Sequence, residues 1–197
     1  MSAKLDMPAR IITEISTPAA SVLAISILCG VRGTPGAAGF LWGAGLGLFC
    51  AVIPYATLEI ASRRKIITDR HVTQKAQRPW AYGICLVSVL VGLLMMLLFD
   101  APPLIRWAII TMVVALVIAA GVTAIGPKVS MHTMCITAFF VLASLLLSAW
   151  WLTGLVVALP LVAWSRLRLE HHSPYEVISG AVLGATVTAT SWLLLPA

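Results

Sequence analysis

The segment 165-SRLRLEHHSPYEV-177 gathers Arg166, Arg168, Glu170, His171, His172 and Glu176 in a chain of 197 residues of which only 10% are charged. Ser173-Pro174 is a good helix start, and His172 and Glu176 stand four residues apart, so a helical turn brings their side chains to one face. A carboxylate that accepts one imidazole N–H fixes the tautomer and leaves the other ring nitrogen as a nucleophile. In this arrangement Glu176 orients and His172 attacks.

Two other segments mix the same residue types. The stretch 71-HVTQKAQRP-79 carries His71, Lys75 and Arg78, and 128-KVSMH-132 carries Lys128, Ser130 and His132. Arginine offers forked donors that match phosphate oxygens, and lysine adds a compact point charge, so three such segments brought together make a pocket for a phosphate. Ser130 and the amide groups that enter the following helix suit the same anion, since helix N-termini attract negative charge. A departing oxygen needs a proton, and His132, two residues after Ser130, is the expected general acid.

Helices must bring these segments together. With 60% hydrophobic residues and a mean hydropathy of +1.02, the chain has too few polar side chains to cover a soluble domain. Apolar runs long enough to span a bilayer lie at roughly 11–31, 38–60, 80–99, 105–126, 131–149, 152–168 and 174–195. None alternates with the period of two of a barrel strand. The expected fold class is therefore all-α, a polytopic transmembrane bundle of six to seven helices. Residues 1–197 would form one integral-membrane domain, with the motif-bearing core at about 71–190. The N-terminal MSAKLDMPAR reads as the entry to an uncleaved first helix, because the run after it is too long for a signal-peptide core.

Seven alternating crossings place the N-terminus and the segments 61–79, 127–131 and 165–173 on one face. Lys4, Arg10, Arg63, Arg64, Lys65, Arg70, Lys75, Arg78, Lys128, Arg166 and Arg168 lie there, against Arg32 and Arg106 on the other. By the positive-inside rule that face is expected to be cytoplasmic. All four histidines, His71, His132, His171 and His172, also fall on it. Trp42, Trp107, Trp150, Trp151 and Trp192 mark one set of helix ends, and Trp80 and Trp164 the other. Cys29, Cys50, Cys85 and Cys135 sit in apolar runs without metal-like spacing and read as small buried hydrophobes.

The three polar segments resemble, in order, the motifs K-x6-R-P, P-S-G-H and S-R-x5-H-x3-D of the type 2 phosphatidic acid phosphatase superfamily, which includes the vanadium haloperoxidases. Ser165, Arg166 and His172 fit the third motif, with Glu176 in place of its Asp. The second reads V-S-M-H, keeping Ser130 and His132 but having Val129 and Met131 where the family has Pro and Gly. The first keeps Arg78-Pro79, with His71 at the Lys position. The resemblance implies a lipid phosphatase in which His172 forms a phosphohistidine, His132 protonates the leaving group, and Arg78 and Arg166 hold the phosphate without metal or other cofactor. His71 then joins the phosphate ligands, and Lys128 supplies the charge of the missing lysine. A narrower likeness is to a bacterial branch that includes enzymes proposed to dephosphorylate decaprenylphosphoryl-phosphoribose, an isoprenoid intermediate of cell-wall arabinan synthesis. The expected partners are a lipid phosphate substrate and membrane lipids, with no nucleic acid.

Other readings of the same residues are blander. Arg63, Arg64 and Lys65 suit an anchor against anionic headgroups, Arg168 and Glu170 suit the interface, and Arg70 can pair with Asp69 or Glu59. Glu14 could end the first helix or face the site. His132, His172 and Glu176 could hold zinc, but the neighbouring Arg and Lys side chains would repel a divalent cation. A magnesium-dependent prenyltransferase needs paired aspartates, and Asp6, Asp69 and Asp100 are far apart. A transporter would show midplane charges and an inverted repeat, and neither is visible. The alternatives to a phosphatase are a lipid-phosphate-binding membrane protein that does not turn over, or a transporter.

Overall fold

The computed structural model describes residues 6–195, and Lys4, counted above among the basic residues, lies outside them. Among the described residues the regular structure is helical throughout, and the chain forms the all-α bundle expected of it. The elements are α1 (Asp6–Ile15), α2 (Pro18–Gly33), α3 (Gly36–Gly47), a π-helical turn (Leu48–Val52), α4 (Ile53–Arg63), a 3-10 turn (Lys75–Gln77), α5 (Arg78–Leu98), α6 (Pro103–Ile125), α7 (Met131–Leu146), α8 (Trp151–Arg168) and α9 (Pro174–Trp192). Counting α1–α2 and α3–α4 as bent rods gives seven. Four stretches are long and apolar enough to cross a membrane: Asp6–Gly33, Gly36–Arg63, Lys75–Leu98 and Pro103–Ile125. The run expected at 131–149 is shorter, because α7 stops at Leu146.

Both bends have local causes. Thr17 leaves helical geometry and its side chain accepts from the Ala20 amide, so the chain restarts at Pro18, which has no N–H to lose at a first turn. The expected run 11–31 is thus divided. α1 instead lays Ala9 and Thr13 against α8, where Thr13 Oγ1 meets Ser165 Oγ at 3.2 Å and Asp6 pairs with Arg168 at 2.9 Å. In the second rod, Pro54 has no N–H to offer, and a proline ring crowds the carbonyl four residues earlier. The helix widens into a π turn just before it. The residue five after Phe49 is Pro54, and Ser88 Oγ of α5 donates to the Phe49 carbonyl instead, at 2.6 Å.

The core has two main layers. Ile25, Leu46, Ile105, Ile109 and Leu142 fill the end away from the polar segments, while Tyr82, Leu116, Ala119, Val129 and Met134 pack nearer to them. Trp107, placed by its sequence position at a membrane interface, is buried and donates its indole N–H to the Ser191 carbonyl at 2.7 Å. The closest pairing for the site is α7 on α9. A Cβ at Gly180 would overlap the Ser130 carbonyl oxygen and Thr133 Oγ1, and one at Gly184 would overlap the Met134 carbonyl. Only a glycine backbone lets the two helices approach this closely.

Candidate functional site

Three connections and the end of α1 meet at one end of the bundle, and each polar side chain is set by a local device. α9 opens with a capping box: Ser173 Oγ accepts from the Glu176 amide, and Glu176 Oε2 accepts from the Ser173 amide at 3.0 Å. The same Oε2 lies 3.0 Å from His172 Nδ1. A carboxylate oxygen only accepts, so Nδ1 carries the hydrogen and Nε2 keeps its lone pair. Glu176 is thus both helix cap and imidazole clamp. The backbone ties the second segment to this helix, since Ser130 N donates to the Glu176 carbonyl at 3.1 Å and Thr133 Oγ1 donates to the Val177 carbonyl at 2.9 Å.

Ser130 is the N-cap of α7, yet its hydroxyl caps nothing. Ser130 Oγ, His132 Nε2, His171 Nδ1 and all three guanidinium nitrogens of Arg166 are buried without a partner among the described residues. Buried polar atoms are paired in the great majority of cases, and a charged one left alone costs several kcal/mol. Arg166 is 0% exposed. An anion with several oxygens is the ligand that would accept from the Arg166 nitrogens and the Ser130 hydroxyl together.

The first segment depends on Asp69. Its carboxylate accepts from the His71 amide at 2.9 Å, the Thr73 amide at 3.2 Å and the Thr73 hydroxyl at 2.5 Å. These bonds hold Val72 at a φ of 48°, a conformation that β-branched residues disfavour. The Val72 carbonyl then faces Arg78, whose Nε donates to it at 2.7 Å while Nη1 reaches the Val129 carbonyl at 3.4 Å. Lys128 donates to the carbonyls of Thr73 and His171, each at 2.8 Å. Both cations therefore knit the three segments together as well as charging them. In Lys128 this uses two of the three ammonium hydrogens.

His71 is central among the rings, 5.4 Å from His132 and 6.2 Å from His171 between centroids. Its Nε2 meets Glu14 Oε1 at 3.2 Å, and Glu14 also pairs with Arg70, which reaches Glu59 on its other side. Arg70 thus takes Glu14 and Glu59, leaving Asp69 to shape the loop. Burial first, then the charge of Arg166, lowers the His71 imidazole, with Glu14 opposing. The same two causes in the same order, with His71 third, push His171 down from its ordinary 6.5 to about 4. Burial, then Arg166, Arg78 and Lys128, take His172 down to about 2. Neutral imidazoles thus stand around the buried guanidinium.

All eight residues singled out by sequence, His172, His132, Glu176, Arg78, Arg166, Ser130, Lys128 and His71, lie at this end of the bundle. His171, outside the motif pattern, joins them, and Glu14 faces the site through His71. Asp69, which the sequence reading pairs only with Arg70, is instead the residue that shapes the first segment. Its signal was available, since an Asp two and four residues before the amides of His71 and Thr73 is a turn-forming pattern. Among the described residues no group of three or more His, Cys, Asp or Glu side chains is placed to hold a metal ion. No protein-family model, curated protein or solved structure matches the chain.

Proposed function

We propose that the protein is an integral-membrane lipid phosphatase of the type 2 phosphatidic acid phosphatase kind, working through a phosphohistidine at His172. The observation that carries this reading is the fully buried, unpartnered Arg166 guanidinium beside a histidine clamped by Glu176. A protein gains nothing in stability from such a charge, so an anionic ligand is its natural counterpart. The phosphate of the lipid would sit between Arg166, Arg78, Ser130 and the first amides of α7, with Lys128 and His71 adding donors.

The substrate enters as its phosphate monoanion and passes its proton to His132; His172 Nε2 then attacks phosphorus as the bond to the leaving oxygen breaks, and the His132 imidazolium gives that oxygen the proton. In the second step His132, now neutral, takes a proton from water, the water oxygen bonds to phosphorus, and the N–P bond breaks. His172 returns to its starting tautomer, which the Glu176 carboxylate holds throughout. Burial and the neighbouring Arg166, Arg78 and Lys128 charges disfavour the protonated ring of His172, which keeps its lone pair available for attack.

The basic residues concentrated at this end, from Arg63 to Arg78 and at Lys128, Arg166 and Arg168, support a site on the cytoplasmic side of a cell membrane. The test is phosphate release by purified protein in detergent with EDTA present, across phosphatidate, phosphatidylglycerophosphate, polyprenyl phosphates and diphosphates, and a polyprenyl-phosphosugar. Release by wild type and none by His172→Ala is the expected result. Equal release by both, or release only after metal is added, overturns the reading.

A further inference from the structure

Below the histidines the bundle is hollow. A cavity of about 220 Å³ begins at His71, Arg78 and His132 and runs inward between α2, the π turn, α4, α5, α6, α7 and α9. Its walls are made of small or apolar side chains, among them Ala81, Ala115, Ala138 and Gly184. Trp107 on α6 and Leu142 on α7 are the deepest lining residues of their helices. From His132 to Leu142 the depth is about 15 Å at 1.5 Å per helical residue, about half of a ~30 Å hydrocarbon core. Spread over that depth, 220 Å³ leaves a bore about one hydrocarbon chain wide. By comparison, an apolar cavity of about 150 Å³ is filled by a single benzene.

At the inner end Trp107 is held by two contacts. The Trp107 indole is pinned by its hydrogen bond to the Ser191 carbonyl and stands edge-on to Trp192 at 5.6 Å. At the wall, Gly184 admits no side chain, because the Met134 carbonyl already occupies that space. A cationic, donor-rich mouth above a narrow apolar shaft is matched by an amphiphile with one anionic head and one chain.

We infer that this cavity is a tail site for single-chain lipid phosphates, with Trp107 as the stop that sets chain length. This rests on the phosphatase reading for the head group and extends it to the class of lipid. Two-chain phospholipids can place at most one chain in the shaft. Chains longer than its depth must meet Trp107 or leave through the wall.

The experiment is binding and turnover measured separately along one homologous series. Binding is read by thermal shift with alkylphosphonates from butyl to hexadecyl, which the enzyme cannot hydrolyse. Affinity should rise roughly three- to fourfold per methylene, as expected for burial of a CH₂ group, and then level off. Ala115→Leu and Ala138→Leu, each filling the shaft from a different helix, should move the plateau to shorter chains. Trp107→Ala should move it to longer ones. Dioleoyl phosphatidate should bind no better than a single-chain phosphonate of matched length. An affinity that is flat in chain length, or a plateau unmoved in both leucine variants and in Trp107→Ala, overturns the assignment. Phosphate release from the matching alkyl phosphates separates the two claims. A chain-dependent affinity without release supports the tail site and removes the phosphatase reading, while release independent of chain length keeps the phosphatase and overturns the tail site.

Discussion

Arg166 and Glu176 bear opposite relations to stability. Arg166 is a buried guanidinium with no hydrogen-bond partner among the described residues, and charges in that position cost more than they return. Replacing it by a residue of similar length, Arg166→Met, is expected to stabilise the ligand-free protein by about 1–4 kcal/mol and to abolish phosphate release. Inorganic phosphate should raise the melting temperature of wild type and leave the variant unmoved. Thermal unfolding in detergent with and without phosphate checks this, and a variant that melts lower than wild type contradicts it. Glu176 acts on two structures at once, the start of α9 and the ring of His172. Glu176→Gln can offer the imidazole an amide oxygen or an amide hydrogen, so the tautomer is no longer fixed. A fall in kcat of about 10²–10⁴-fold with KM little changed is expected, together with a loss of about 1 kcal/mol of stability from the weakened cap. Steady-state kinetics near the wild-type rate would remove Glu176 from the mechanism.

The decisive element pair is α7 and α9, because Ser130 and His132 start one and Glu176 starts the other. Their spacing is set by glycine, and the backbone bond from Ser130 to Glu176 holds the two starts level. Gly184→Val pushes a branched side chain into the Met134 carbonyl. It should cost about 3 kcal/mol or more, measurable as a lower midpoint in thermal unfolding, and a midpoint equal to wild type would mean that the helices are free to separate. The four-residue spacing of His172 and Glu176 made their contact legible in the sequence, since it depends on one helical turn. The gathering of the other polar segments followed from counting apolar runs. What sequence did not reveal depends on contacts between distant residues. The break at Thr17 becomes useful only because Thr13 finds Ser165 on α8, and the π turn before Pro54 is completed by Ser88 on α5. The geometry of the first segment lies in Asp69, whose bonds to His71 and Thr73 the sequence reading of an Arg70 ion pair does not contain.

For the whole molecule, the chain is asymmetric along the bundle axis, with cations and imidazoles at one end and a tryptophan-rich apolar layer at the other. By the positive-inside rule this asymmetry predicts that the cationic end faces the cytoplasm. A cysteine placed at Lys75 should react with a membrane-impermeant maleimide only after the cytoplasmic side is opened, and one at Asp100 should react from outside in intact cells. The reverse pattern would put the site on the outer face. On the proposed reading, the apolar cavity beneath the site, with Trp107 at its inner end, would hold the chain of a lipid whose phosphate sits among the cations. The most direct test of the account is to quench the protein in alkali during turnover of a phosphorus-labelled lipid phosphate and map the label by peptide mass spectrometry. The account predicts an acid-labile, alkali-stable phosphoryl group on His172, absent in His172→Ala and long-lived in His132→Asn. Turnover with label on another residue, or with no covalent label in any of the three proteins, would contradict it.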